Sequence, residues 1–267
     1  MRDRRELAIE LKNTDLVQHT EPDVRFYEDE ATGKNYPSVT TILDLLPKDP
    51  FLEMWKDKNG AEAVNNVLYK ASVSGTKVHN EIDRFCQEFM EDGEASMFWF
   101  DEFGNKRFDR IEWEMLIKFV DFFDNFVEEV ILSEARMKSD ELFVSGTVDG
   151  VIRLTDGRVV VIDYKTSNTI SDKFSVQTWC YAKMVEENYG LEINGRGNLW
   201  LKAHTRGRDK SGKKIQGAGW SFVEHTESER DEKVFKCAHD LFMDQWRNKT
   251  IAPSHKVYPT ILNVTKK

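Results

Sequence analysis

Three charged residues lie within and at the end of two apolar, β-branched segments that together span Ser145 to Lys165. Asp149 is in the first segment, and Asp163 and Lys165 close the second. Because side chains alternate along a strand, Asp163 and Lys165 point to the same face. Two carboxylates beside an ammonium group are suited to bind a divalent cation and to assist charged chemistry next to it. These residues therefore predict a metal site with a basic neighbour.

The same charges are also compatible with a purely structural salt bridge. The segment Val159 to Ile162 is apolar on both faces, as in a central strand. Charges at the end of such a strand cost free energy unless they pair or coordinate an ion. This favours the metal site and leaves the salt bridge as the alternative.

The turn signal Asp156-Gly157 between the two segments indicates a β-hairpin. A strict two-residue turn would place Asp149 opposite Tyr164, on the wrong face for a shared site. A loop that is one residue longer, or a bulge, would place Asp149 beside Asp163. We therefore predict an irregular or lengthened hairpin.

Other elements must surround this hairpin, and the first of them follow a highly charged N-terminal arm. A small hairpin is predicted around residues 30–33, which are turn-like. A short helix is then predicted to begin near Thr41, to be capped by Ser38 or Thr40, and to end before Pro47.

Two helices are predicted next. The first spans residues 51–70, with a possible interruption at Gly60. The second begins near Gly75-Thr76 and carries His79 and Asp83 on one face, because they are four residues apart. A lone histidine is commonly an ordinary core or surface residue, so a ligand role for His79 is one of two interpretations.

Apolar periodicity predicts a long helix over residues 108–130 and another over about 172–189. A strand after the first helix carries Glu134, which could be a further cation ligand if it pairs beside Asp149. Gln177 and Tyr181 form a polar stripe on the second helix. They either pack as ordinary helix residues or reach over the end of the sheet.

A strand over residues 198–205 is predicted to run parallel to the hairpin strand, and to be followed by a strand over 218–225 and a helix over 226–249. The region between these two strands is basic, with only Asp209 opposing it. Such a loop is either solvated or a contact for the phosphate backbone. The basic residues between positions 196 and 214 are Arg196, Lys202, Arg206, Arg208, Lys210, Lys213 and Lys214.

The composition is that of a soluble globular protein, with 40% hydrophobic and 32% charged residues in 267. Since 38 basic residues face 47 acidic ones, giving a net charge of −9, a polyanion would need a local basic patch. The three cysteines are scattered without CxxC spacing, which predicts neither a zinc site nor an iron–sulfur cluster. There is no secretion signal and no membrane-spanning apolar run, so we expect a cytoplasmic protein.

Short motifs follow one another along the chain in a characteristic order: Gly75-Thr76-x-x-His79, Glu134, Gly146-Thr147-x-Asp149-Gly150, Asp163-Tyr164-Lys165-Thr166 and Gln177-x-x-x-Tyr181. This order resembles the RecB-like branch of the PD-(D/E)XK nuclease superfamily. The segment Tyr36 to Thr40 and the helix around Trp55 are also similar to phage exonucleases and to the mitochondrial genome maintenance exonuclease. The resemblance covers roughly residues 26–205.

The resemblance implies an α/β fold with a restriction-endonuclease-like core, a mixed central sheet flanked by helices, and a helical N-terminal part. We expect a single nuclease domain over residues 1–267. Its parts would be a peripheral arm, a mainly helical region, the catalytic sheet core, and a C-terminal helix with its tail, at residues 1–25, 26–130, 131–225 and 226–267.

The resemblance also implies roles for individual residues. Glu134, Asp149 and Asp163 would bind Mg²⁺ or Mn²⁺, with His79 as a further ligand. Lys165 would orient the attacking water or help to deprotonate it. Gln177 and Tyr181 would position the scissile strand, and further contacts to DNA are expected from Ser38, Thr166, Arg206, Arg208, Lys210, Lys213 and Lys214.

Three departures from the family pattern limit this transfer. Asp163 stands where many members have glutamate, and Asp83 stands where glutamate often follows the histidine. The cysteines that bind an iron–sulfur cluster in several relatives are absent, so no such cluster is expected.

The expected function is that of a metal-dependent DNA exonuclease in recombination, repair or replication. It would act on DNA ends or single strands in a bacterial or phage-infected cell, where a recombination or replication protein is a candidate partner. A structure-specific endonuclease of the same fold is one alternative. The other is a non-catalytic DNA-binding or assembly protein in which the carboxylates are only structural.

Overall fold

The computed structural model describes residues 15–20, 24–48, 50–202 and 219–246. Its strands are β1 (Leu16–Thr20), β2 (Arg25–Asp29), β3 (Lys34–Pro37), β4 (Val127–Ser139), β5 (Val144–Leu154), β6 (Val159–Lys165), β7 (Gly195–Trp200) and β8 (Ser221–Glu224). Its helices are α1 (Val39–Leu43), α2 (Pro50–Asn59), α3 (Ala61–Asp92), α4 (Arg110–Phe126), α5 (Lys173–Tyr189) and α6 (Ser228–Gln245).

A five-stranded mixed sheet in the order β4-β5-β6-β7-β8 forms the centre. All neighbouring strands are antiparallel except β6 and β7, which are parallel. The chain makes this parallel step through α5, as a crossover connection requires. The predicted mixed α/β sheet flanked by helices is confirmed, and so is the parallel pairing after the helix.

The strands of the sheet are covered on both faces because their apolar side chains alternate. Val161 packs in the core formed with α1, α5 and α6, whereas its neighbours Val160 and Ile162 pack against α3 and α4. This alternation follows from the two-residue repeat of a strand. It sends Asp163 to the same side as Val161, toward α5.

The hairpin between β5 and β6 has a three-residue loop instead of a two-residue turn. Leu154 accepts from Gly157 and donates to Arg158, and Gly157 has a φ of +88°. The paired residues Gly150 and Ile162 set the register. One step further along, this register places Asp149 beside Asp163, so the predicted lengthening of the hairpin is confirmed.

The prediction that a helix begins near Gly75-Thr76 is wrong, because α3 runs without a break from Ala61 to Asp92. The interruption predicted at Gly60 is confirmed, since this residue has a φ of +76° and separates α2 from α3. Gly75 instead lies inside the helix at a close approach. A Cβ atom there would be 2.9 Å from Oγ1 of Thr166.

The long helix predicted over residues 108–130 begins at Arg110 and ends at Phe126, and Val130 is already part of β4. Asp109 and Glu112 form a reciprocal capping box at its start. The apolar spacing of residues 126 and 130 fits a helix. The β-branched residues after Phe126 pair with β5 instead, so sheet pairing overrides the local pattern.

The N-terminal region contains a second sheet, in which β1, β2 and β3 are antiparallel. The hairpin predicted around residues 30–33 is confirmed as β2–β3. Residues 16–20, within the predicted arm, form β1 and pair with β2. Helix α1 starts at Val39, slightly earlier than predicted, because Ser38 caps it through the Thr41 N–H. The division into one domain with four parts stays a prediction.

Candidate active site

Four polar side chains form a row across adjacent strands of the central sheet. Asp163 on β6 and Asn198 on β7 are direct partners in the parallel pair. The registers of the antiparallel pairs extend this row to Asp149 on β5 and Glu134 on β4. Carboxylates that are far apart in the sequence therefore meet because the strand order brings them together.

A cavity of about 510 Å³ lies over this row. Every predicted site residue in the described part of the chain lines it: Ser38, His79, Glu134, Asp149, Asp163, Lys165, Thr166, Gln177 and Tyr181. The predicted DNA contacts Arg206, Arg208, Lys210, Lys213 and Lys214 lie outside the described residues.

Three potential metal ligands cluster at the end of the row formed by β4 and β5, which we call its open half. One ligand atom each from His79, Glu134 and Asp149 lies within 4.8 Å of the others. The His79 Nδ1 atom is 3.4 Å from Oδ2 of Asp149. An imidazole with two carboxylates is a donor set that suits a hard divalent cation such as Mg²⁺ or Mn²⁺.

The backbone at Glu134 is unusual, since this residue has a φ of +44°. A non-glycine residue in the left-handed region costs on the order of 1 kcal/mol. Such strain persists where the surrounding structure holds it, and it often marks functional sites. In this chain it lies within the metal-ligand cluster.

The carboxyl group of Glu134 is largely buried and lies among other carboxylates. Burial raises the pKa of Glu134 to about 8, and the carboxylates of Asp149, Asp83 and Asp163 add to this rise. A carboxyl group with such a pKa keeps its proton at neutral pH unless a cation compensates the charge. A divalent cation would compensate the negative charge of Glu134 and the neighbouring carboxylates when they are ionised.

Asp163 lies outside the group of three, in a closed environment. Its side chain is 1% exposed, and its Oδ2 atom accepts hydrogen bonds from Nζ of Lys165 and Nδ2 of Asn198, both at 2.7 Å. Burial raises the pKa of Asp163 to about 6, although the Lys165 ammonium opposes the rise. The predicted four-ligand set is thus divided into three clustered groups and one enclosed carboxylate.

Lys165 is held from three sides. Besides the ion pair with Asp163, its ammonium donates to Oε1 of Gln177 at 3.2 Å and lies 4.2 Å from the ring centre of Phe174. Gln177 in turn donates to the hydroxyl of Tyr181 at 3.0 Å. The predicted polar stripe on α5 therefore reaches the sheet end, where it contacts the lysine.

A glycine on β5 leaves space for the ring of Tyr181. A Cβ atom at Gly146 would be 2.7 Å from Cε1 of the tyrosine ring. Only a residue without a side chain leaves room for this contact. Gly146 thus seats Tyr181 at the cavity.

His79 approaches the sheet from α3. Its ring packs edge-on against Tyr164 at a centroid distance of 6.1 Å, and the Tyr164 N–H donates to Oδ2 of Asp149 at 2.8 Å. One helical turn later, Asp83 accepts hydrogen bonds from Ser133 at 2.6 Å and from Gln87 at 2.9 Å. These contacts fix α3 beside Glu134.

Ser38 and Thr166 also line the cavity. The Ser38 hydroxyl is 2% exposed and accepts the Thr41 N–H at 3.0 Å as a helix cap. Thr166 lies directly after β6, against Gly75. Contacts of Ser38 and Thr166 with DNA stay predictions.

Residues outside the sequence motifs connect the site to the rest of the fold. The Tyr27 hydroxyl donates to Gln18 at 2.9 Å and lies 3.0 Å from the hydroxyl of Thr147, which brings the N-terminal sheet to the cavity. Asn198 and His225 form a second connection, at 2.7 Å. An asparagine inside an apolar strand is an available signal, since asparagine is depleted in strands.

A family model described as the PD-(D/E)XK nuclease superfamily matches residues 50–257. Among solved structures, the chain is similar to a putative exonuclease from Eubacterium rectale, with a TM-score of 0.39 and 11% sequence identity, over 67% of this chain and 68% of that chain. The comparison with curated proteins gives no match. Across the part of the chain that the structure describes, no helix has the length and apolar character needed to span a membrane.

Proposed function

Since the chain belongs to the PD-(D/E)XK nuclease superfamily, we propose that it is a metal-dependent exonuclease that hydrolyses phosphodiester bonds from DNA ends. The observation that supports this proposal is the convergence of His79, Glu134 and Asp149 next to the Asp163–Lys165 pair in one cavity. We place the activity in DNA recombination, repair or replication. The three cysteines are free, which fits a reducing compartment such as the cytoplasm.

His79, Glu134 and Asp149 would hold the cation, with Asp163 as the neighbouring carboxylate. A bound Mg²⁺ or Mn²⁺ neutralises the charge of a phosphodiester and lowers the pKa of bound water. Burial and the neighbouring carboxylates raise the pKa of Glu134, and a positive charge held in the cluster would lower it. Glu134 would then hold the cation as an ionised carboxylate, together with His79 and Asp149.

Lys165 acts beside the cluster as the group that orients the attacking water and stabilises developing negative charge. Its ammonium is preorganised by Asp163, Gln177 and the Phe174 ring, so little reorganisation is needed during the reaction. A preorganised donor of this kind contributes about 3 kcal/mol to transition-state stabilisation.

Gln177 and Tyr181 act on the scissile strand mainly through Lys165. The Tyr181 side chain is 4% exposed and its hydroxyl accepts from Gln177. Gln177 presents its amide oxygen to the ammonium, which sets where the positive charge lies relative to the DNA.

The second candidate is a DNA-binding protein without activity, and the Lys165–Asp163 ion pair favours it. This contact is the structural salt bridge that the residue types also allow. In that case the acidic cluster would have no catalytic part, and replacement of Lys165 would leave DNA binding intact.

The test is an incubation of the protein with end-labelled single- and double-stranded linear DNA and with closed circular DNA, in Mg²⁺, Mn²⁺ or EDTA. We expect metal-dependent loss of linear DNA only, and no loss with Lys165→Ala. Cutting of the circle would replace the exonuclease by an endonuclease. Binding without degradation of any substrate in either metal would leave the non-catalytic candidate.

A further inference from the structure

We infer that Asn198 and His225 are positioning residues for the Asp163 carboxylate and thereby set the affinity of the site for a divalent cation. This inference rests on the proposed metal-dependent function. It concerns two residues that none of the family motifs includes and that lie on the side of the row away from the cluster of His79, Glu134 and Asp149.

The Asp163 carboxylate is held through one of its two oxygens. Both the Asn198 amide and the Lys165 ammonium donate to Oδ2. Among the described residues no hydrogen bond reaches Oδ1, although Asp163 lines the cavity. The carboxylate is therefore fixed by Oδ2 and keeps Oδ1 available to a ligand.

Asn198 can donate a hydrogen bond to Asp163 in only one of its two amide orientations. Its side chain is 0% exposed, its Nδ2 faces Asp163, and its Oδ1 lies 2.7 Å from Nε2 of His225. Because a buried amide oxygen needs a donor, His225 carries a proton on Nε2. Both the neutral Nε2–H tautomer and the imidazolium donate from this atom, so the contact is independent of the charge on His225.

The three side chains are placed by the sheet rather than by a loose loop. Asn198 pairs with Asp163 on one side and with Val223 on the other. His225 follows β8, and its N–H continues the ladder by donating to the carbonyl of Arg196 at 2.9 Å. The hydrogen-bonded series of Asp163, Asn198 and His225 thus continues the row of carboxylates.

Loss of His225 removes the only described donor to Oδ1 of Asn198. The buried amide oxygen is then left without a hydrogen-bond donor, and Asn198 is held in place from the Asp163 side alone. Asp163 would then be held less firmly in its orientation, which weakens its contribution to cation binding. Loss of such an outer partner typically reduces metal affinity 10–100-fold.

The test is calorimetric titration of the full chain with Mn²⁺ in the absence of DNA. We expect His225→Ala and Asn198→Ala each to raise the Kd for Mn²⁺ by about tenfold or more. His225→Gln keeps an N–H donor and should stay near wild type, whereas His225→Leu should behave like the alanine variant. His239→Ala is the matched control. His239 is a half-buried histidine on α6 that packs against Phe235, and it makes no contact with the hydrogen-bonded series of Asp163, Asn198 and His225.

A double variant separates positioning from general stabilisation. If His225 acts through Asn198, His225→Ala should add no further loss of Mn²⁺ affinity in an Asn198→Ala background. Equal losses in both backgrounds, or a His225→Leu protein that binds Mn²⁺ like His225→Gln, would overturn the inference. The Gln and Leu pair decides the matter if His225→Ala does not fold.

The outcomes distinguish this inference from the proposed function. A protein that binds Mn²⁺ in a His225-dependent manner and degrades no DNA keeps the inference and loses the nuclease. A nuclease whose Mn²⁺ affinity is indifferent to His225 keeps the function and loses the inference. Wild-type protein that binds no Mn²⁺ would overturn both.

Discussion

The two halves of the polar row differ in how their charge is compensated. On β4 and β5, Glu134 and Asp149 face each other and His79 with no ammonium or guanidinium among their close contacts in the described structure, and the pKa of Glu134 rises to about 8. On β6 and β7, Asp163 is enclosed by Lys165 and Asn198. One half is arranged to receive a cation, and the other is already neutralised by the protein.

This difference indicates that the two halves of the row have different roles. The open half depends on a ligand for its stability, because like charges repel when the site holds no cation. The closed half has its charge compensated by Lys165 without a bound cation, and it fixes the position of the lysine. Variants in the two halves should therefore fail in different ways.

The largest effect is expected from Asp149→Asn, which removes charge from the centre of the open half. Asp149 contacts His79 and also accepts the Tyr164 N–H, so the amide can retain part of its packing while it loses a cation ligand. We expect DNA degradation to fall by at least ~10³-fold, as for several kcal/mol of lost charge stabilisation. Steady-state rates with end-labelled DNA measure this, and activity within tenfold of wild type would contradict the metal role.

The next largest effect is expected from Lys165→Ala in the closed half. Loss of a preorganised charged donor should lower kcat by about 10²–10³-fold while DNA affinity changes little. Lys165→Arg should not restore activity, because a planar guanidinium does not fit the contacts of the ammonium with Asp163 and Gln177. Single-turnover rates and DNA affinity together test this, and a Lys165→Ala protein that degrades DNA at the wild-type rate would contradict the catalytic role of the lysine.

A smaller effect is expected from Gly146→Ala, which crowds the ring of Tyr181. The added methyl group would lie 2.7 Å from Cε1 of the ring, and overpacking of this kind costs about 1–3 kcal/mol. Thermal unfolding should show this loss together with reduced activity. Gly75→Ala is the matched comparison, because its clash is with a single atom of Thr166 at 2.9 Å and should be relieved by Thr166→Ala. Equal stability of Gly146→Ala and wild type would show that the ring moves freely.

The last expected effect is a pH dependence of stability when EDTA removes the cation. The folded protein binds the Glu134 proton more tightly than the unfolded chain does, because the pKa rises from 4.5 to about 8. Stability contributed by the protonated group is therefore complete below about pH 4.5 and declines as the pH rises through about 8. Asp163, with its pKa raised to about 6, acts in the same direction at lower pH.

This decline can be followed as the midpoint of thermal unfolding in EDTA between pH 5 and pH 9. It should be smaller in Glu134→Gln, and Mn²⁺ should reverse it in the wild type. A midpoint that rises over this range in EDTA would contradict the repulsion assigned to the open half.

The hairpin and its carboxylates were predictable from the sequence because they depend on local rules. Alternation along β6 and the length of the connection after Leu154 determine which side chains share a face. The turn signal predicted the loop, and the requirement that Asp149 lie beside Asp163 predicted its extra residue.

Other features depend on long-range packing and could not be predicted. The continuous helix through Gly75 is maintained by contacts with the core on one side and by space for Thr166 on the other, which no local pattern shows. Val130 has helical spacing but pairs in β4. His225 reaches Asp163 only through the pairing of β7 with β8, which involves the far end of the chain.

The most direct test of the central claim is the position of a bound Mn²⁺ ion in a crystal of the wild-type protein, located by its anomalous scattering. We expect a peak between His79, Glu134 and Asp149, with ligand distances of about 2.0–2.3 Å that are typical of such cations. A protein crystallised at saturating Mn²⁺ with no peak in this cavity, or with a peak bound only by surface carboxylates elsewhere, would contradict the assignment of the row as a metal-dependent nuclease site.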